Sequence, residues 1–398
     1  MALIDALKDH FWTIIFYSAI LLLLYINRKK FEFHGVAAIK RTKIGIKLMD
    51  SWGLKHPKPI KVLGFIGIIV CFLLMIATFI LLLYGVFQFF TVKNAPPSVA
   101  PLLPGVEIPG SPVNLPLIAG FLAIFFVIVV HEFAHGVVSR AYKIPVKTTG
   151  FGLFAVFPFA FVEPDEKKLK KSSTVAQLSL FSAGAFTNVI FAIFTIFILI
   201  GFGLTAGNYL NSKYESAGFT FEEVEPGSPA DDANLIPKIT YTQINGKQIR
   251  NNTDLFDAFS KLRPGDLVTL SDGQNSYNVV SSKSKLNESK AYIGVSGIKQ
   301  KYVLKNKEIL PIIGTAGLVI YGFINELLTW IIILNIAIGS VNVLPMGPID
   351  GGRMFLLLSQ RIFGKANGEK IWKMVSFFVV FIMIILLFQF VLSVAKAF

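Results

Sequence analysis

The stretch HEFAH places two histidines around a glutamate: His131, Glu132 and His135. On a helix, positions i and i+4 share one face, one turn apart. Two imidazoles so spaced suit a single Zn2+, and Glu132 falls where it can serve as a general base. A catalytic zinc takes three protein ligands and keeps a fourth position open. The chain has five histidines; the other three, His10, His34 and His56, lie far N-terminal and outside the apolar runs. The single cysteine, Cys71, allows neither an internal disulfide nor a cysteine-based zinc site. A carboxylate is therefore the expected third ligand. Asp350 stands in NVLPMGPIDGG, just after an apolar run and flanked by Pro345, Pro348, Gly351 and Gly352. Prolines remove donors and glycines free the backbone, so this run breaks a helix. A carboxylate at such a break can swing toward a metal. The competing reading is an exposed aspartate in an interfacial turn.

HEFAH sits inside the apolar run Leu115–Tyr142. Ionisable groups are costly in a bilayer, which favours a functional reading there. The chain has 398 residues, 54% of them hydrophobic, and the excess is gathered in blocks. A spanning helix needs roughly 20 mostly apolar residues. Phe11–Ile26, Val62–Phe90, Leu115–Tyr142, Val175–Leu204, Leu327–Leu344 and Ile371–Val394 meet or approach that length. The fold class expected is a polytopic α-helical membrane protein with about six transmembrane helices. The stretch Leu310–Leu344 is open to a surface helix plus one span, or to a re-entrant segment.

The net charge of +14 does not point to nucleic acid, because its placement follows the loops. Asn27–Lys61 holds ten Lys/Arg against two Asp/Glu, whereas Thr91–Asn114 holds one of each, Lys93 and Glu107. KKLKK (Lys167–Lys171) follows the HEFAH helix, and Arg353, Arg361, Lys365 and Lys370 precede the last run. Basic loops stay cytoplasmic, so both termini are expected outside. Arg28-Lys29-Lys30 is also open to contact with anionic lipid. His131 then lies 16 residues in from Leu115, ~24 Å at ~1.5 Å per residue, within the hydrocarbon and toward the cytoplasm. Met1–His10 is polar and no small-residue cleavage pattern follows, so Phe11–Ile26 is expected to be retained.

Gly218–Lys301 differs in kind. It is polar, with short alternating runs such as FTFEEV and DLVTL and the turn pairs PGSP, NGK, RPGD and SDG. NTDLFDAFSKL reads as a short helix capped by Asn252 or Thr253. One small α/β domain fits this length. VEPGSPADDANL (Val224–Leu235), INGKQI (Ile244–Ile249) and YIGV (Tyr292–Val295) resemble a PDZ domain of the permuted bacterial and archaeal type. The run ANLIPKITY departs from the Gly-Asp pair usual there. The resemblance implies that the backbone amides of Tyr292, Ile293, Gly294 and Val295 receive a peptide C-terminus, by strand addition to a sheet edge.

Taken together, HEFAH, NVLPMGPIDGG and SAGAFTN (Ser182–Asn188) resemble the site-2 protease family of intramembrane zinc metalloproteases, with Ile349 where Leu is usual. The resemblance runs from Leu115 to about Arg361. It implies one Zn2+ per chain held by His131, His135 and Asp350, with Glu132 as the catalytic glutamate. Asn188 and Asn342 match family asparagines near the site. A buried amide there can donate to an oxyanion or clamp a substrate backbone, or it can bond to an interrupted helix. Gly150–Asp165 resembles the family's membrane-dipping hairpin, which can offer an edge strand to substrate.

The implied organisation has four parts. They are an N-terminal helix pair with a basic loop (1–92), catalytic core helices (115–207), the PDZ-like domain (218–301), and an Asp-bearing plus a C-terminal helix (310–398). The PDZ-like domain is expected outside the cytoplasm, between the second and third core helices. The implied partners are transmembrane protein substrates, the lipid bilayer, and peptide C-termini at the PDZ-like domain. A CAAX-type membrane protease would take a downstream Glu ligand, a receptor would need no metal, and a transporter would carry inverted repeats, of which none is evident.

Overall fold

The computed structural model describes residues 10–93, 95–106, 113–284, 290–305 and 311–397. The reading of Met1–His10, apart from His10, and that of Glu107 lie outside the described residues. The chain divides into two compact units, Met1–Ile200 with Phe323–Phe398, and Gly201–Gly322.

In chain order, helix α1 (Phe11–Ile26) leads to strands β1 (Glu32–His34) and β2 (Ala37–Thr42). Helices α2 (Ile46–Lys55), α3 (Pro57–Thr91) and α4 (Leu117–Ala141) follow. Next come β3 (Val146–Phe154), β4 (Phe157–Pro164), α5 (Glu166–Lys171) and α6 (Thr174–Phe202). After a π-helical turn at Gly203–Gly207, the second unit contains α7 (Asn208–Lys213), β5 (Tyr214–Thr220), β6 (Glu223–Val224), α8 (Pro229–Asp232), β7 (Gln243–Ile244) and β8 (Lys247–Gln248). It continues with α9 (Asn252–Ser260), β9 (Leu267–Ser271), β10 (Ser276–Val280), β11 (Ser282–Lys283), β12 (Ala291–Tyr292), β13 (Val295–Ser296) and β14 (Lys299–Leu304). Helices α10 (Pro311–Asn342), α11 (Asp350–Phe363) and α12 (Lys365–Ala397) end the chain.

Among the described residues, five helices are long and apolar enough to cross a membrane: Pro57–Thr91, Leu117–Ala141, Thr174–Leu210, Ala316–Asn342 and Lys365–Ala395. These features are those of a multi-pass membrane protein. The count differs from the six segments expected because α1, at 16 residues, falls short of a full crossing. The stretch open to a surface helix plus a span is one continuous helix, α10.

In the first unit, the basic loop Asn27–Lys61 is not plain connection. It carries β1, β2 and α2. Strands β1 and β2 extend the β3–β4 hairpin into an antiparallel sheet of order β1-β2-β3-β4, which leaves β4 at an edge. Thr149 faces Val162 and Gly152 faces Ile39 in that register. Helix α2 is amphipathic. It buries Met49 and Gly53 and exposes Leu48, Trp52 and Leu54. Asp50 forms an ion pair with Arg140, which fixes α2 to the C-terminal end of α4.

The break between α10 and α11 is held from several sides. Val343 N–H still donates to Gly339 O at 3.2 Å, and Met346 N–H donates to Leu344 O at 2.8 Å. A Cβ on Gly351 would stand 2.1 Å from Val343 O, so only glycine lets α11 begin so close to the strand of chain that feeds it. From α12, Ser376 Oγ donates to Pro345 O at 3.1 Å; farther along the same helix, Gln389 Nε2 donates to Ala95 O and Pro96 O in the segment after α3. These bonds satisfy carbonyls that have no helix to pair with, a requirement away from water.

The second unit has its own core of Phe219, Phe221, Tyr241, Ile244, Val268, Leu270 and Val279. Its main sheet runs β10-β9-β7-β8, and β14–β5, β13–β6 and β11–β12 pair separately. The Phe221 and Tyr241 rings stack at 5.0 Å, and the Tyr241 hydroxyl takes a hydrogen from Ile236 N–H and gives one to Ile236 O. Helix α9 is capped by Asn251, not by Asn252 or Thr253: its Oδ1 accepts from Asp254 N–H at 2.7 Å.

Candidate metal centre

Helix α4 carries His131 and His135 on one face, with the ring centroids 4.9 Å apart. Both are buried, and both Nε2 atoms point at one carboxylate oxygen. His131 Nε2 lies 3.3 Å and His135 Nε2 3.1 Å from Asp350 Oδ2. Asp350 is the first residue of α11, so the break delivers the carboxylate to the histidine face. One ligand-type atom from each of His131, Glu132 and His135 falls within 4.8 Å of the others.

These donors fit a zinc ion. Tetrahedral ligands at ~2.0–2.1 Å from zinc stand ~3.3–3.4 Å from one another, close to the separations of 3.1 and 3.3 Å here. Helix α6 leaves the room. A Cβ on Gly184 would sit 2.3 Å from His131 Nε2 and 2.5 Å from His135 Nε2. Glycine is the one residue that keeps this space open.

The outer ring nitrogens are also engaged. His135 Nδ1 lies 2.7 Å from Leu180 O, and His131 Nδ1 lies 3.2 Å from Asn188 Nδ2. Glu132 Oε2 accepts from Val162 N–H at 3.0 Å, so the glutamate is tied to the edge strand β4. An apolar groove of about 810 Å³ opens beside it. Phe125, Val129, Phe151, Phe159 and Phe161 line this groove together with Leu23 and Leu24 of α1.

Asn342 closes α10 half-buried, and its side chain has no hydrogen-bond partner among the described residues. The YIGV loop lies in the second unit. There Ile293 O accepts from Ala230 N–H at 2.8 Å and Gly294 O from Glu225 N–H at 2.9 Å, while the Tyr292 hydroxyl donates to the Glu225 carboxylate. Gly184, Leu180 O and Val162 N–H were not singled out in the sequence. Gly184 stood inside SAGAFTN, but the other two act through backbone atoms, which leave no residue signature.

The model of peptidase family M50 matches residues 119–386. The chain belongs to peptidase family M50, the site-2 protease family. The match spans both units and includes all four residues around the centre. An uncharacterized protein of Methanocaldococcus jannaschii is 28% identical over 331 residues, covering 80% of this chain and 76% of its own. A Clostridium perfringens protein named "Putative zinc metalloprotease" is 25% identical over 284 residues, covering 60% of this chain and 81% of its own. M50 membership supports a membrane-embedded zinc metalloprotease, in agreement with the donor set that α4 and α11 bring together.

Proposed function

We propose that this M50 protein is an intramembrane endopeptidase that hydrolyses peptide bonds within or near transmembrane segments of other membrane proteins. The observation that carries the reading is the convergence of His131 and His135, on the spanning-length helix α4, with Asp350 at the start of the short helix α11, beside Glu132. In this reading His131, His135 and Asp350 hold one Zn2+. When bound, the ion polarises the scissile carbonyl and makes water acidic enough to attack near neutral pH.

The remaining steps belong to the chain. Glu132 takes the proton of the attacking water and returns it to the leaving amine as the C–N bond breaks. Asn342, whose side chain has no partner among the described residues, would donate to the oxygen that gains negative charge, as the family resemblance implies. A substrate helix hides its carbonyls in its own hydrogen bonds, so it must unwind before cleavage. Residues that weaken helices, such as Gly, Pro, Asn and Ser, favour that step. The unwound segment can lie in the aromatic groove and pair with the edge strand β4, on which Val162 N–H already bonds to Glu132.

The second unit, in this reading, is the PDZ-like domain of residues 218–301. The order of its motifs, with Gly294 packed on Ser228 at the start of α8, supports it. The placement of basic residues supports extracytoplasmic termini and an extracytoplasmic PDZ-like domain, with the active site near the cytoplasmic side. The domain would screen bulky ectodomains or take peptide C-termini.

The test is cleavage in proteoliposomes of a single-span substrate carrying a Gly-Pro pair. Wild type should cut it. Glu132→Gln should retain zinc and lose activity by at least ~100-fold, the usual scale of general base catalysis. Normal turnover by Glu132→Gln would remove the glutamate from the chemistry.

A further inference from the structure

Asn188 is fully buried on α6, and its amide poses a conflict. As placed, the donor Nδ2 faces His131 Nδ1 at 3.2 Å, while the acceptor Oδ1 is buried with no partner. The two ends of a carboxamide are nearly the same size, so the hydrogen-bond network decides which is which. The network here starts at the metal. An imidazole that offers Nε2 to a metal carries its proton on Nδ1, and that N–H needs an acceptor. Turning the Asn188 amide over gives Nδ1–H the oxygen it needs. The same move removes the orphaned acceptor.

His135 has the same arrangement. Its Nδ1 lies 2.7 Å from Leu180 O, and a carbonyl can only accept. Leu180, Gly184 and Asn188 are spaced four residues apart, so they form one stripe along α6. The stripe reads acceptor, gap, acceptor. It lies against His135 and His131, which are themselves one turn apart on α4.

We propose that this stripe of α6 is the template that orients both histidines, and that Asn188 is a positioning residue for His131 rather than a contact for substrate. The proposal rests on the zinc reading above. Asn188 accepts from Nδ1–H, fixes the ring plane, and directs the Nε2 lone pair into the space that Gly184 leaves.

The experiment is chelator competition for zinc on the purified full chain in detergent. Partners of this kind typically change metal affinity by ~10- to 100-fold. Asn188→Ala should weaken zinc by that factor, and Asn188→Asp, which keeps an oxygen toward Nδ1–H, should restore it. Asn335→Ala is the control. Asn335 is equally buried, but among the described residues it bonds only within α10, Nδ2 to Ile331 O at 2.7 Å, so zinc affinity should not change. If the alanine variant does not fold, Asn188→Leu, of similar shape and without an acceptor, should show the same loss. Wild-type zinc affinity in Asn188→Ala or Asn188→Leu overturns the proposal and leaves the zinc reading standing. So does an equal loss in Asn335→Ala, which would mark a packing effect. A wild-type chain that binds no zinc overturns both.

Discussion

Asp350 Oδ2 lies 3.1 Å from His135 Nε2, although one residue begins α11 and the other stands near the C-terminal end of α4. The contact depends on a helix break that turns the chain back at Asp350. In the proposed site, replacing the carboxylate would leave two ligands where a catalytic zinc takes three. Asp350→Ala should therefore purify with well under half the zinc of wild type. Unchanged stoichiometry would take Asp350 out of the ligand set.

Gly184 and His131 make the tightest fit at the centre. Overpacking a site of this kind costs ~1–3 kcal/mol. A methyl group here would sit within 2.3 Å of a ligand nitrogen on an opposing helix. Gly184→Ala should lose roughly tenfold or more in zinc affinity while the protein stays folded by circular dichroism. Full zinc affinity in this variant would mean that α6 does not bound the metal space.

Burial pushes the Tyr241 hydroxyl up to about 12, so the folded second unit holds that proton where an unfolded chain releases it near 10.0. A raised value of this kind gives stability that is complete below pH 10 and is lost as pH rises toward 12. Near-UV circular dichroism of the full chain should show part of its tertiary signal fading across that window. Tyr241→Phe lacks the group and should begin less stable, because Ile236 N–H and Ile236 O lose their partner, yet show a shallower alkaline loss. Identical alkaline profiles would contradict the assignment.

If residues 218–301 screen substrates as proposed, replacing Gly218–Lys301 by a short linker should widen the choice. The ratio of cleavage between a trimmed substrate and one with a bulky ectodomain should move toward unity. A ratio equal to that of wild type would count against a screening role.

Much of the candidate site was legible in the sequence. HEFAH announced itself by side-chain type and helical spacing, and the Pro and Gly residues around Asp350 signalled the break that presents it. What stayed hidden has physical reasons. Val162 N–H and Leu180 O are backbone groups whose partners depend on tertiary placement. Strands β1 and β2 hid in a loop read for its charge, because pairing with β3 is a long-range event that local pattern does not encode. Helix α1 looked like a span by composition but is too short. The cap of α9 moved by one residue, since Asn251, Asn252 and Thr253 are all competent caps and only geometry selects among them.

The most direct test is the zinc content of chelator-free, full-length protein by elemental analysis, measured beside His131→Ala in the same detergent. The account predicts about one zinc per chain in wild type, as a single three-ligand site requires, and a near-complete loss in the variant. Wild type without zinc, or His131→Ala with its zinc intact, would contradict it.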